Sequence, residues 1–141
     1  YKSEIESFYS TGGINHQEFK SVNCRLISTK DQTTGFTIRT PYFLKNSDDL
    51  IMKVLKPGDK ELGMGENAFI ITLTTKGKSY ISRGEQPNAQ LIVDRSMITY
   101  DYGTNIVIAH FKVNCRLYNH ESNTYIDLKD GEIVADFEYD I

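Results

Sequence analysis

Two cysteines, three histidines, a row of carboxylates and one glycine-rich hexapeptide are the residues of this 141-residue chain with which chemistry could begin. Cys24 and Cys115 both fall in the word VNCRL, at Val22 to Leu26 and Val113 to Leu117. Each shares its strand phase with apolar neighbours, a setting that raises a thiol's pKa and makes it inert rather than nucleophilic. His16, His110 and His120 show neither H-x-x-x-H nor H-x-H spacing, so the sequence assigns no metal and reads them as surface histidines. Gly63-Met64-Gly65-Glu66-Asn67-Ala68 satisfies G-x-G-x-x-A, but a dinucleotide site needs a helix N-terminus next, and the β-rich FIITLT follows. A glycine-rich turn or bulge is the expectation there. Glu132, Asp136, Glu138 and Asp140 alternate in one phase without the D-x-D-x-D-G spacing that wraps calcium, which predicts a solvated face paired across strands with Lys129 or Arg116. There is no G-x-S-x-G, and no serine or cysteine has a neighbouring base to name. The expectation is a protein without catalytic residues or cofactor.

Charge narrows the partners. A formal net charge of −3, with charged residues making up 25% of the chain, gives no long-range field for nucleic acid or an anionic membrane face. Arg25, Arg39, Lys112 and Arg116 are predicted to point outward from strands, but acids dilute them too far for a nucleic-acid strip. The longest apolar stretches are short, such as Ala68 to Leu73, far below the length of a membrane-spanning helix.

The elements that must position these residues read as strands. In Asn105 to Tyr118, Val107, Ala109, Phe111, Val113, Cys115 and Leu117 alternate with polar residues, giving one oily and one wet face. Asp130-Gly131 between TYIDLK and EIVADFEY is a strong hairpin signal, so a three-stranded meander is predicted for the last third. A second hairpin is predicted from Val22 to Ser28 and Phe36 to Thr40, and a third from Ala68 to Thr74 and Ser79 to Ser82 through Lys76-Gly77. Leu91 to Val93 and Met97 to Tyr102 add one or two shorter strands.

Two segments read otherwise. Residues 47–56 carry helix punctuation, with Ser47 as N-cap, Asp48 and Asp49 in the first turn and Pro57-Gly58 as a stop, although strand remains the alternative. Residues 1–13 read as a tether or a short helix, with Ser3 and Glu6 as a capping box and Gly12-Gly13 as its end. Residues 14–141 then form a single β-rich domain, large enough for one core and supplied with nine tyrosines and seven phenylalanines to fill it. The fold class is mainly β, an antiparallel sandwich or calycin-like barrel with at most one or two short helices.

Over about the last 60 residues the pattern resembles small cell-envelope lipoproteins of unknown function from Bacteroidetes. It is carried by Ala109, Phe111, Val113 and Cys115 to Leu117 on one strand, then Ile126, Leu128, Gly131 and Ile133 to Phe137. Ala109 stands where those chains have glycine, and Lys129-Asp130 replaces a threonine. The resemblance implies a β fold, no catalytic residues, and a secreted chain whose signal peptide and lipidated cysteine have been removed, with residues 1–13 as the tether. Membrane association would then run through an N-terminal lipid anchor absent from this chain. In such an oxidising envelope Cys24 and Cys115 become candidates for a disulfide, which needs Cα atoms within roughly 7 Å and side chains aimed at each other. Two free buried thiols are the alternative. The functional expectation is a non-catalytic binding or structural accessory module for a protein or glycan partner. A small apolar-ligand carrier with a barrel cavity stands second, and an enzyme last.

Overall fold

In a computed structural model of the chain, residues 2–12, 17–44, 49–101 and 103–139 are described. Ten strands follow one another: β1 (Lys2–Gly12), β2 (Gln17–Ile27), β3 (Gly35–Arg39), β4 (Phe43–Leu44), β5 (Gly58–Leu62), β6 (Ala68–Thr75), β7 (Lys78–Ile81), β8 (Gln90–Asp101), β9 (Thr104–Asn119) and β10 (Thr124–Tyr139). A five-residue π-helical turn, Leu50–Val54, lies between β4 and β5. The strands join in the order β1-β2-β3-β6-β5-β8-β9-β10, with β4 beside β2 and β7 bridging β6 and β9. The path curls round until β1 and β2 approach β10, giving a ring-like sheet.

The mainly β class holds, with one exception to antiparallel pairing. β5 and β6 run parallel for two residue pairs, Glu61 with Ala68 and Leu62 with Phe69. The hairpins around Asp31 and Lys76 form where expected. Asp31 ties the β2–β3 loop by accepting from the Thr33 amide (3.0 Å), the Thr33 hydroxyl (2.6 Å) and the Thr34 hydroxyl (2.7 Å). Lys76 at φ 49° and Gly77 at φ 77° make the two-residue turn whose twist suits a hairpin.

Other expectations give way. Asp130-Gly131 does not reverse the chain, and the predicted meander is a pair: β10 runs unbroken through it against β9. Its register slips between Leu128 and Gly131, so Lys129 and Asp130 face the single residue Asn114. Only Asp130 adopts positive φ (51°), whereas the type I′ turn expected of Asp-Gly needs it at both positions. The Asn114 side chain accepts the Asp130 amide at 2.9 Å and holds the bulge. The two strands predicted within 91–102 merge into β8, kinked by a similar slip between Val93 and Arg95.

Residues 2–12 form neither tether nor helix. They pair along their whole length with β2, from Lys2 opposite Ile27 to Gly12 opposite Gln17, because β2 offers an otherwise open ladder on that side. The helix read at 47–56 contracts to Leu50–Val54, closed by the Leu55 amide donating to the Leu50 carbonyl at 2.7 Å. Leu50 and Leu55 are both fully buried, so packing rather than capping holds this turn. Ser47, its expected cap, lies outside the described residues.

The interior of the ring is filled. Phe111 meets Phe69 and Phe137 edge to face, with ring centroids 5.8 and 6.3 Å apart. Ile38, Ile71, Leu91, Val93 and Leu117 close around them.

Candidate functional site

The site begins with a break in a ladder. β3 pairs with β2 from Gly35 to Arg39, and Thr40 continues it through hydrogen bonds with both the amide and the carbonyl of Val22. Beyond it Phe43 pairs with Lys20, one residue out of the earlier register, so Pro41 and Tyr42 face the single residue Ser21. Pro41 has no amide to donate, which makes this a natural place for a bulge. The bulge sends Phe43 inward, where it is 5% exposed, and leaves Tyr42 half out of the protein at 50%.

Two clefts meet at Tyr42. One, of about 340 Å³, lies towards the π-helical turn and holds Asp49, Lys53, Asp59, Lys60 and Glu61. Lys53 pairs with Asp49 at 3.2 Å, and the Lys60 ammonium donates to the Lys53 carbonyl at 3.3 Å. Burial, with repulsion from Lys56, holds the Lys60 pKa below the usual lysine range. The other cleft, of about 450 Å³, lies towards the glycine-rich turn and holds Arg39, Arg83, Glu66, Met64 and Ile70. Tyr42 and Asn67 line both.

The hexapeptide read as a false nucleotide signal thus has a structural role. Residues 63–67 link β5 to β6 with no helix following. The Glu61 carboxylate lies against Gly65, where a Cβ would fall 1.8 Å from it, so a side chain there would displace the end of Glu61.

The remaining polar candidates do not converge here. His110 sits in register with Arg95 and Val134, while His120 lies ten residues further along the chain, stacked on Tyr118. His16 and Asp140 lie outside the described residues. Glu132 faces Lys112 across the ladder, and Asp136 and Glu138 face Ile108 and Ile106. Arg116 pairs not with that acidic row but with Asp127, through Nε at 2.9 Å and a second nitrogen at 3.3 Å, because Asp127 is its register partner. It also covers the Tyr125 ring at 3.8 Å. The Arg116 guanidinium holds the Asp127 carboxyl below the usual carboxylate range.

Both cysteines are buried free thiols, so the disulfide considered for Cys24 and Cys115 is not present. They occupy strands that are not ladder partners. Cys24 instead lies against the backbone of Asp136, and burial pushes its pKa up to about 11; burial pushes Cys115 to about 12. The two VNCRL words agree in burying valine and cysteine but differ at asparagine: Asn23 is 7% exposed, flanked by β1 and β3, rather than turned to water.

In the sequence Arg39 stands out as an outward strand residue and Asn67 only as part of the glycine-rich hexapeptide, while Tyr42 and Arg83 carry no mark of a site. Pro41, directly after a strand, was the available signal of a bulge. Compared with known proteins, the chain matches no family model, no curated protein and no solved structure.

Proposed function

We propose that this chain is a non-catalytic binding module whose ligand, a glycan or a protein segment, lies across Tyr42 into the two clefts. The observation that carries the reading is the bulge that exposes Tyr42 between concavities on the outside of a ring whose interior is already packed. An exposed tyrosine offers a flat apolar face and a hydroxyl at small entropic cost, which suits stacking against a sugar or a side chain. The Asn67 amide beside it offers both a donor and an acceptor. An apolar-ligand carrier would need that packed interior as cavity, so the packing of Phe69, Phe111 and Phe137 favours the module. A place in a cell envelope belongs to the same proposal and rests on the lipoprotein resemblance.

The test is an immobilised oligosaccharide and peptide panel probed with wild type and Tyr42→Ala. Because Tyr42 is half exposed, the variant should keep its stability within about 0.5 kcal/mol while losing the panel signal. A signal that survives in a folded Tyr42→Ala protein removes this site from consideration.

A further inference from the structure

Within the larger cleft two strand residues and one residue just beyond the end of β7 come together. Arg39 on β3 is in register with Ile70 on β6. On the other flank of β6, Ser82 prolongs the β7 ladder: its amide donates to the Ile71 carbonyl at 2.9 Å and its hydroxyl accepts the Ile71 amide at 2.9 Å. Arg83 follows it and therefore flanks Ile70 from the other side, with its carbonyl 3.2 Å from His120 Nε2. Arg39, Ile70 and Arg83 line the same cleft, with Ile70 as an apolar patch in it. Among the described residues neither guanidinium has an ion-pair partner, in contrast with Arg116, which is committed to Asp127 and Tyr125. In a chain of net charge −3, two arginines line this cleft against the carboxylate of Glu66, with Glu61 at its border beneath Gly65.

We infer that the Arg39–Ile70–Arg83 row is an anion subsite, and that its ligand is an acidic saccharide whose carboxylate lies between the two guanidinium groups while its ring stacks on Tyr42. This rests on the Tyr42 reading and adds the ligand's charge class to it. Guanidinium groups match a carboxylate in planar, charge-assisted pairs. Tyr42, with Asn67 and Glu66 to meet hydroxyls, favours a sugar over a bare anion.

The experiment measures binding of trigalacturonic acid and of its methyl ester, which differ in charge but share the ring, to wild type, Tyr42→Ala and Arg39→Gln/Arg83→Gln by calorimetry and amide chemical shifts. Acetate and a tri-glutamate peptide serve as controls, and thermal melts confirm that each variant is folded. The acid should bind wild type at least about tenfold more tightly than the ester, the range expected for a hydrogen-bonded charge pair. The double arginine variant should lose that ratio and the salt dependence with it. Equal binding of acid and ester overturns the anion subsite but leaves the Tyr42 reading intact. Tighter binding of tri-glutamate or acetate overturns the saccharide assignment. If neither sugar binds, the inference falls, and the panel above still decides on Tyr42. Acid binding unchanged in Tyr42→Ala overturns the parent reading instead.

Discussion

Cys24 and Cys115 show how far a single residue's chemistry can be read from strand phase. Their apolar register predicts an inert thiol, and burial raises them to about 11 and about 12. At pH 8 both remain protonated and shielded, so Ellman's reagent should react with neither in the native protein and with two per chain in unreduced denaturant; fewer than two would mean a disulfide. Linkage adds a second expectation. The unfolded thiols titrate near 9.0, so between that value and the raised native ones the unfolded state binds fewer protons, and stability falls as pH rises. Melting temperature should therefore decline from pH 8.5 to pH 10.5, and a double Cys→Ala variant should lose part of that slope. The carboxyls of Asp31 and Asp127 act in the opposite direction. Both are held below the ordinary value of 3.8, Asp31 by hydrogen bonds from Thr33 and Thr34 and Asp127 by Arg116. Their contribution is complete above the unfolded value and fades as pH drops through the lowered native ones. Urea midpoints measured from pH 6 down to pH 2 should fall less steeply for Asp31→Asn than for wild type.

Between elements, the loop of residues 82–89 does the work of a missing strand. β5 leads to β8 and β7 leads to β9, which leaves a window between them; the Gln86 side chain crosses it. Its amide donates to the carbonyls of Ser82 and Arg116, both at 2.8 Å, and its oxygen accepts the Arg116 amide at 2.9 Å, as a neighbouring strand would. The Tyr118 ring lies on Gly84 and its hydroxyl donates to the Glu85 carbonyl. Gln86→Ala should cost roughly 2–3 kcal/mol in urea denaturation, about 1 per bond lost. Gly84→Ala should cost a similar amount, since its Cβ would stand 2.6 Å from the Tyr118 ring at a φ of 149°. A loss below about 0.5 kcal/mol for both would show that the loop is not part of the sheet. This seam marks the limit of what the sequence disclosed. Strands with clean alternation, β9 above all, the turn at Lys76-Gly77 and the hairpin of β2 with β3 were legible because local chemistry decides them. A glutamine imitating a ladder was not, because nothing in QPN states which strand it will meet. Asp130-Gly131 misled for a related reason: one sequence serves a turn or a bulge, and the continued pairing of β10 with β9 chose the bulge. Of the proposed site, Arg39 could be placed on an outward phase, but its meeting with Arg83 depends on β6 lying between β3 and β7, a topological fact.

For the whole molecule, the packed interior and the outer clefts are distinct. A ring of strands can hold a ligand only if its centre is hollow, and here Phe111 fills that centre between Phe69 and Phe137. Phe69, Phe111 and Phe137 are committed to that packing, while Tyr42 stays half exposed on the outside, where the proposed site lies. The consequence is measurable as a contrast between core and surface variants. Phe111→Ala should cost about 3–5 kcal/mol and open a void lined by Phe69 and Phe137. That void should bind a small apolar probe such as benzene, seen as a melting temperature that rises with probe concentration. Wild type should show no such rise, because Phe111 occupies that space, and Tyr42→Ala should behave like wild type. A wild-type protein stabilised by benzene as strongly as Phe111→Ala would mean that the ring opens in solution, and the carrier reading would then displace the module.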